Sequence, residues 1–177
     1  MRVADLDLLF VPDTGPITPD HWIARWSDKL STARLVAAFD PAATPAALVA
    51  AAERAQRPIL LIGYSTGAVA VALAAGALAE TDVRGAFLVA PPAEDALATL
   101  DGGVWPALPR ARLPWPSMLV ASRTDPWSSH RESLALASDW GADFVDAGES
   151  GRIDADSGHG PWPDGLLKLG ALLKKLG

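Results

Sequence analysis

Short apolar runs alternate along this chain with longer segments in which apolar residues recur at helical spacing. Apolar runs of four to eight residues that are bounded by Pro, Gly or polar clusters are typical of buried strands. The pattern therefore predicts six strands, at residues 6–11, 34–39, 58–62, 83–90, 118–121 and 142–145.

Helices are predicted between these strands and after the last one. The segment 19–30 carries Trp22, Ile23 and Trp26 at helical spacing, and Thr44 opens a helix with Pro45 in its first turn. Further helices are predicted at residues 68–78, 129–140 and 165–176. The last of these has leucines on one face, which predicts that it packs on the sheet; a helix that lies on a membrane surface is the alternative. Such alternation indicates an α/β fold with a doubly wound, mostly parallel sheet and a site at the carboxyl ends of its strands.

Composition narrows the classes of protein that this chain can belong to. A length of 177 residues with 50% hydrophobic content favours one domain spanning residues 1–177. The net charge of -6 disfavours nucleic-acid binding, which depends on cationic groups. Asp5 and Asp7 interrupt the apolar start and no apolar run reaches membrane-spanning length, so a cytoplasmic protein that does not bind a membrane is expected.

Metal and cofactor chemistry has little support in the sequence. The chain has no cysteine and three histidines, without the spacing of a zinc site, and it contains no phosphate-binding loop. We therefore expect neither a metal nor a cofactor, and the sequence names no protein partner.

The stretch Gly63-Tyr64-Ser65-Thr66-Gly67 is a G-x-S-x-G motif between a predicted strand and a predicted helix. In that context the motif is typical of a nucleophile elbow, a tight turn that holds the serine hydroxyl clear of the sheet edge. Ser65 is therefore the candidate nucleophile, with an exposed hydroxyl. An ordinary glycine-rich turn is the alternative.

Asp125 is the candidate acid of a catalytic triad. A serine nucleophile needs a base, most often a histidine oriented by a carboxylate, and the α/β-hydrolase order along the chain is serine, acid, histidine. Asp125 follows the fifth predicted strand and precedes Pro126, which restricts its backbone. An Asp-Pro turn without a chemical role is the alternative.

The chain resembles the small bacterial YdeN-like serine hydrolases of the α/β-hydrolase superfamily, which include the animal retinoblastoma-binding protein nine. The likeness covers nearly the whole chain and rests on Val11-Pro12, Gly15-Pro16, His21-Trp22-x-x-x-Trp26, the serine motif, Ala121-Ser122-x-x-Asp125-Pro126 and Ser157-Gly158-x-Gly160-x-Trp162-Pro163-x-Gly165. The resemblance implies a minimal hydrolase fold without a cap domain, with Ser65 as nucleophile and Asp125 as acid.

The expected histidine is the point at which the chain departs from this family. The family pattern Gly-His-Ile-Asn corresponds here to Gly151-Arg152-Ile153-Asp154, so Arg152 stands in the histidine position. Arginine carries only donors and remains protonated, so it cannot accept the serine proton. His159 is the candidate replacement base, although a loop histidine with another role is the alternative. His21 and His130 are weaker candidates.

The oxyanion hole is expected to use the backbone N–H of Thr66, with a second N–H from Asp13 or Thr14. The resemblance implies glycine where Asp13 stands, and a carboxylate there would oppose a developing oxyanion. The irregular segment 91–116 either roofs the site or is a surface loop pinned by its tryptophans.

Two functions follow from these residues. The first is a serine hydrolase that acts on small esters, thioesters or amides through an acyl-serine intermediate, impaired by Arg152 if no other base replaces the histidine. The second is a binding or regulatory protein that keeps the hydrolase scaffold without catalysis.

Overall fold

The structure, a computed structural model, describes residues 1–36 and 40–177. Its strands are β1 (Asp7–Val11), β2 (Ala33–Leu35), β3 (Ile59–Tyr64), β4 (Val83–Val89), β5 (Ser117–Ala121) and β6 (Asp143–Asp146). Its α-helices are α1 (Trp22–Lys29), α2 (Thr44–Glu53), α3 (Thr66–Leu78), α4 (Glu94–Leu97), α5 (His130–Trp140) and α6 (Pro163–Lys175).

The strands form one sheet in the order β2-β1-β3-β4-β5-β6, and every pair is parallel. The predicted fold class, a doubly wound α/β sheet of about six strands without a cap domain, is therefore confirmed. Parallel strands bring their carboxyl ends to one edge of the sheet. The loops that follow β1, β3, β5 and β6 meet at that edge.

Successive strand residues pack into two separate hydrophobic clusters, one on each face of the sheet. Leu9, Leu61 and Leu88 belong to the cluster that α2, α3 and α5 cover. Their neighbours Leu8 and Leu60 belong to the cluster that α1 and α6 cover. Because side chains alternate across a strand, helices on both faces require continuous apolar strands, which is the pattern that the sequence shows.

The predicted boundaries differ from the observed ones where pairing or capping decides them. β3 runs two residues beyond the predicted end because Tyr64 still pairs with Val89 of β4. Helix α1 begins at Trp22 rather than at residue 19 because the His21 side chain caps it, with Nδ1 accepting the Ile23 N–H at 3.2 Å. Only the first two residues of the second predicted strand, 34–39, lie in β2, which begins one residue earlier; residues 37–39 lie outside the described part.

The segment 91–116 is less irregular than predicted. It contains α4 and a 3-10 turn at Leu100–Gly102. It is fixed to the core by buried Trp105, Leu108, Leu113 and Trp115.

None of the helices in residues 1–36 and 40–177 combines the length and the apolar character needed to cross a membrane.

Candidate active site

The elbow between β3 and α3 depends on its two glycines. A Cβ on Gly63 would lie 2.7 Å from Ala68 Cα, and one on Gly67 would lie 2.0 Å from the Val11 carbonyl oxygen. Only a hydrogen atom fits in these places. The first turn of α3 can therefore contact both the end of β3 and the end of β1.

Ser65 sits at the apex of the turn with φ 54° and ψ −123°. A positive φ is strained for a residue with a side chain, and such strain is typical of functional turns. The predicted exposure of its hydroxyl is wrong, because the exposed fraction of Ser65 is 0%.

The residue that covers Ser65 is Arg152. Its Nη2 donates a hydrogen bond to Ser65 Oγ at 2.6 Å, and its Nη1 donates to Asp125 Oδ1 at 3.3 Å. One guanidinium thus spans the serine and the carboxylate, which is where a triad histidine would lie. The side chain of Arg152 is only 13% exposed and that of Asp125 only 2%.

Arg152 is held by aromatic residues as well as by the carboxylate. Its guanidinium carbon lies 3.4 Å from the centroid of the Trp127 ring, and its backbone oxygen accepts a hydrogen bond from the Tyr64 hydroxyl at 3.1 Å. The next residue, buried Ile153, has φ 56°, and its carbonyl oxygen accepts from Trp22 Nε1 at 2.9 Å. These contacts fix the backbone from which the Arg152 side chain projects.

Hydrogen bonds between the loops after β5 and β6 bring Asp125 and Arg152 to the same place. Ser122 Oγ accepts the Ser150 N–H at 2.9 Å and donates to the Gly148 carbonyl at 3.2 Å. Thr124 Oγ1 accepts the Gly151 N–H at 3.0 Å. The two loops therefore form one hydrogen-bonded unit beside the elbow.

Asp125 is a buried carboxylate with a cationic partner. Burial raises its pKa, while the Trp127 N–H, which it accepts at 2.9 Å, and the Arg152 guanidinium favour the charged form. Because the guanidinium cannot lose its proton, Asp125 faces a permanent cation, whereas the carboxylate of a resting triad faces a neutral imidazole.

His159 is placed elsewhere by its own loop. Its Nδ1 lies 3.2 Å from Ser157 Oγ, and that hydroxyl is in turn 2.8 Å from Asp154 Oδ1. The structure brings Ser65, Asp125 and Arg152 together and leaves His159 outside this contact group. The weaker candidates have structural contacts: His21 caps α1, and His130 packs edge-on against Phe144.

The carboxylate of Asp13 lies beside the predicted oxyanion hole. Its Oδ1 accepts from Thr66 Oγ1 at 2.6 Å and from the Thr14 N–H at 2.9 Å. The Thr14 N–H is therefore engaged within the protein. Thr66 begins α3, where the first backbone N–H groups have no partner within the helix.

A cavity of about 350 Å³ is bordered by Arg152. Its walls are the loop after β1, the rings of Tyr64 and Trp127, and the loop at residues 154–156, and Ser65 does not line it. The segment 91–116 does not line it either, and its buried tryptophans pin it to the core, which agrees with the second of the two alternatives for this segment.

Sequence reasoning did not identify Trp127 or Tyr64 as parts of the site. Tyr64 lies inside the serine motif, and its position next to the nucleophile was an available signal. Trp127 lies two residues after Asp125, but nothing in the sequence indicates that its ring faces the guanidinium.

Comparison with known proteins places this geometry in context. A family model described as serine hydrolase matches residues 8–171. No curated protein matches the sequence.

Solved structures with the same fold include two YdeN-like proteins. A protein assigned as a YdeN-like hydrolase from Pectobacterium atrosepticum is 26% identical, with a TM-score of 0.86 over 97% of this chain and 92% of its own. The ydeN gene product of B. subtilis is 16% identical, with a TM-score of 0.76 over 96% of this chain and 99% of its own. The esterase domain of a Rhodothermus marinus protein is 18% identical, with a TM-score of 0.66 over 93% and 85%.

Proposed function

Because this chain belongs to the serine hydrolase family, we propose that its site is a hydrolase site for small esters, thioesters or amides, whose turnover Arg152 impairs. Ser65 is the proposed nucleophile and Asp125 the proposed acid. The observation that carries the proposal is the guanidinium of Arg152, 2.6 Å from Ser65 Oγ and 3.3 Å from Asp125 Oδ1.

The proposed reaction needs a proton acceptor beside Ser65. Oγ would form a bond to the acyl carbon while its proton passes to a base, which then protonates the leaving alcohol, thiol or amine; water would release the acyl group. Arg152 offers only N–H donors to Oγ, so the hydroxyl keeps its proton and its lone pair is engaged. Slow acylation is the expected consequence.

The size of the proposed acyl compound is inferred from the cavity. Its volume of about 350 Å³ lies at the lower end of ligand cavities, and apolar residues such as Ile17 and Ile23 contribute to its walls. Movement of the Arg152 side chain would connect this space with Ser65. A short acyl chain fits these dimensions better than a polymeric substrate.

A second candidate function is binding of a small molecule without turnover. The complete burial of Ser65 beneath Arg152 favours it, because a nucleophile must reach its substrate. In that case the cavity would hold a ligand, and the elbow would serve only the fold.

The test compares the wild type with Arg152→His, and with Ser65→Ala/Arg152→His as the matched control. Hydrolysis of p-nitrophenyl acetate and labelling by a fluorophosphonate probe are measured. We expect Arg152→His to raise both by about 100-fold or more, as a general base does. Ser65→Ala/Arg152→His is expected to show neither the raised ester hydrolysis nor the raised labelling.

Two results would contradict the impaired hydrolase. Wild-type turnover that His159→Ala abolishes would make His159 the base. A folded Arg152→His protein that neither labels nor hydrolyses the ester would favour binding without turnover.

A further inference from the structure

The carboxylate of Asp13 is partly exposed and faces the site. Besides the Thr66 hydroxyl and the Thr14 N–H, it faces the cation that covers the nucleophile: its Oδ2 lies 3.7 Å from Arg152 Nη2. The same Nη2 donates to Ser65 Oγ at 2.6 Å. Asp13 and the proposed nucleophile Ser65 therefore both lie next to the same nitrogen atom, Nη2 of Arg152.

The groups around Asp13 are those that an acyl oxygen would need. Thr66 follows the nucleophile and begins α3, where the backbone N–H groups and the helix dipole favour a negative charge. The end of β1 and the loop after it supply the second side of this space, since the Val11 and Pro12 carbonyl oxygens lie so close to Gly67 that a Cβ there would clash with them. Asp13 Oδ1 bridges these two sides, because it accepts from the Thr66 hydroxyl on one side and from the Thr14 N–H on the other.

We propose that Asp13 closes the oxyanion side of the Ser65 site, and that removing its carboxylate opens a site for a small carboxylate or acyl oxygen. This inference rests on the proposed function for its catalytic consequence, but not for the binding site itself. A fixed negative charge beside a developing oxyanion raises the barrier to its formation. The chain thus departs from a working hydrolase at two positions rather than one.

A second layer of hydrogen bonds holds the Asp13 turn in place. Thr14 Oγ1 donates to the Asp101 carboxylate at 2.8 Å, and Trp105 Nε1 donates to the same carboxylate at 2.7 Å. Trp105 is buried in the core. The segment after β4 thereby fixes the turn from outside, and Asp101 acts as a positioning residue.

The first experiment measures binding and does not depend on catalysis. Acetate is titrated into the wild type, Asp13→Ala and Asp95→Ala, and chloride at equal ionic strength is the salt control. Binding is followed by NMR and by the rise in Tm. Asp95 is an exposed carboxylate of α4 outside the cavity, so its removal changes the charge equally. We expect saturable acetate binding to Asp13→Ala alone.

The second experiment measures rates in the Arg152→His background. Asp13→Ala/Arg152→His is expected to hydrolyse p-nitrophenyl acetate at least about tenfold faster than Arg152→His, which is less than the roughly 100-fold effect of a whole oxyanion-hole donor because only an opposing charge is removed. Asp13→Asn/Arg152→His keeps the side-chain volume and removes the charge, and it decides the outcome if the alanine variant does not fold. A rate at or below that of Arg152→His would overturn the proposal for the reaction.

The two proposals fail in different ways. Acetate binding by Asp13→Ala, together with an inert Arg152→His protein, would support the closed oxyanion site and contradict the impaired hydrolase. An active Arg152→His protein whose rate and acetate binding do not respond to Asp13 variants would support the impaired hydrolase and contradict the closed oxyanion site.

Discussion

The Trp127 ring and the Arg152 guanidinium are stacked, with 3.4 Å between the guanidinium carbon and the ring centroid. The contact adds a cation–π interaction to the ion pair with Asp125, and it orients the guanidinium plane so that its two terminal nitrogens reach Asp125 and Ser65.

Replacing Trp127 by alanine should release Arg152 from the site. We expect faster modification of Arg152 by phenylglyoxal, followed by peptide mass spectrometry, and a loss of about 2 kcal/mol in the free energy of unfolding. Trp127→Phe keeps a stacking face and should change both measurements less. Equal modification rates in all three proteins would show that the ring does not hold the guanidinium.

Removing the Arg152 side chain should leave a space that a diffusible base can enter. In Arg152→Ala, added imidazole is expected to raise the rate of p-nitrophenyl acetate hydrolysis in a saturable way, because the space borders both Ser65 and Asp125. Ser65→Ala/Arg152→Ala reports the reaction of imidazole in solution and is subtracted. A rate that is the same in both variants at every imidazole concentration would contradict the prediction.

The two glycines of α3 should respond in opposite directions to alanine. Gly67→Ala places a Cβ 2.0 Å from the Val11 carbonyl oxygen, so we expect a loss of about 3 kcal/mol or more in stability, or an insoluble protein. Gly76→Ala has no atom within 4 Å of the new Cβ and should gain up to about 1 kcal/mol from helix propensity. Urea unfolding measures both variants.

His21 should make the stability of the fold depend on pH. Burial lowers its pKa, and the carboxylates of Asp154 and Asp13 offset this only in part. The unfolded chain therefore binds a proton more readily, and the folded protein loses stability as the pH falls below the ordinary histidine value of about 6.5. His21→Asn retains an acceptor for the Ile23 N–H without titrating.

The measurement for His21 is the free energy of unfolding at about pH 7.5 and about pH 5.5, on either side of the unfolded-state pKa. The wild type should lose more stability between these values than His21→Asn does. Parallel losses would mean that His21 does not contribute to the pH dependence.

The sequence predicted the fold well because the strands are buried on both faces. Runs such as Leu60-Leu61-Ile62 place side chains in both hydrophobic clusters, so every position is apolar and polar residues do not alternate with apolar ones. The elbow could be predicted equally well, because close contacts within the motif and with the end of β1 require glycine at positions 63 and 67.

The arrangement of the site was harder to predict because it depends on long-range contacts. Ser65 is buried by a residue 87 positions away, and Asp13 turns inward because Thr66, 53 positions away, offers it a hydroxyl. The aromatic partners of Arg152 come from β3 and from the loop after β5. Periodicity and motif spacing carry no information about these side-chain directions.

The left-handed backbone at Ile153 has a consequence for how this site can change over time. The carbonyl contacts of Tyr64 and Trp22 involve the main chain at positions 152 and 153, so they do not depend on which side chain position 152 carries. The direction in which the side chain at position 152 projects is therefore set by the main chain and not by the identity of that side chain. Replacing Arg152 by histidine would then exchange a guanidinium for an imidazole on an unaltered backbone, so that, under the proposed function, position 152 and the carboxylate at position 13 are the two places where this site could gain activity.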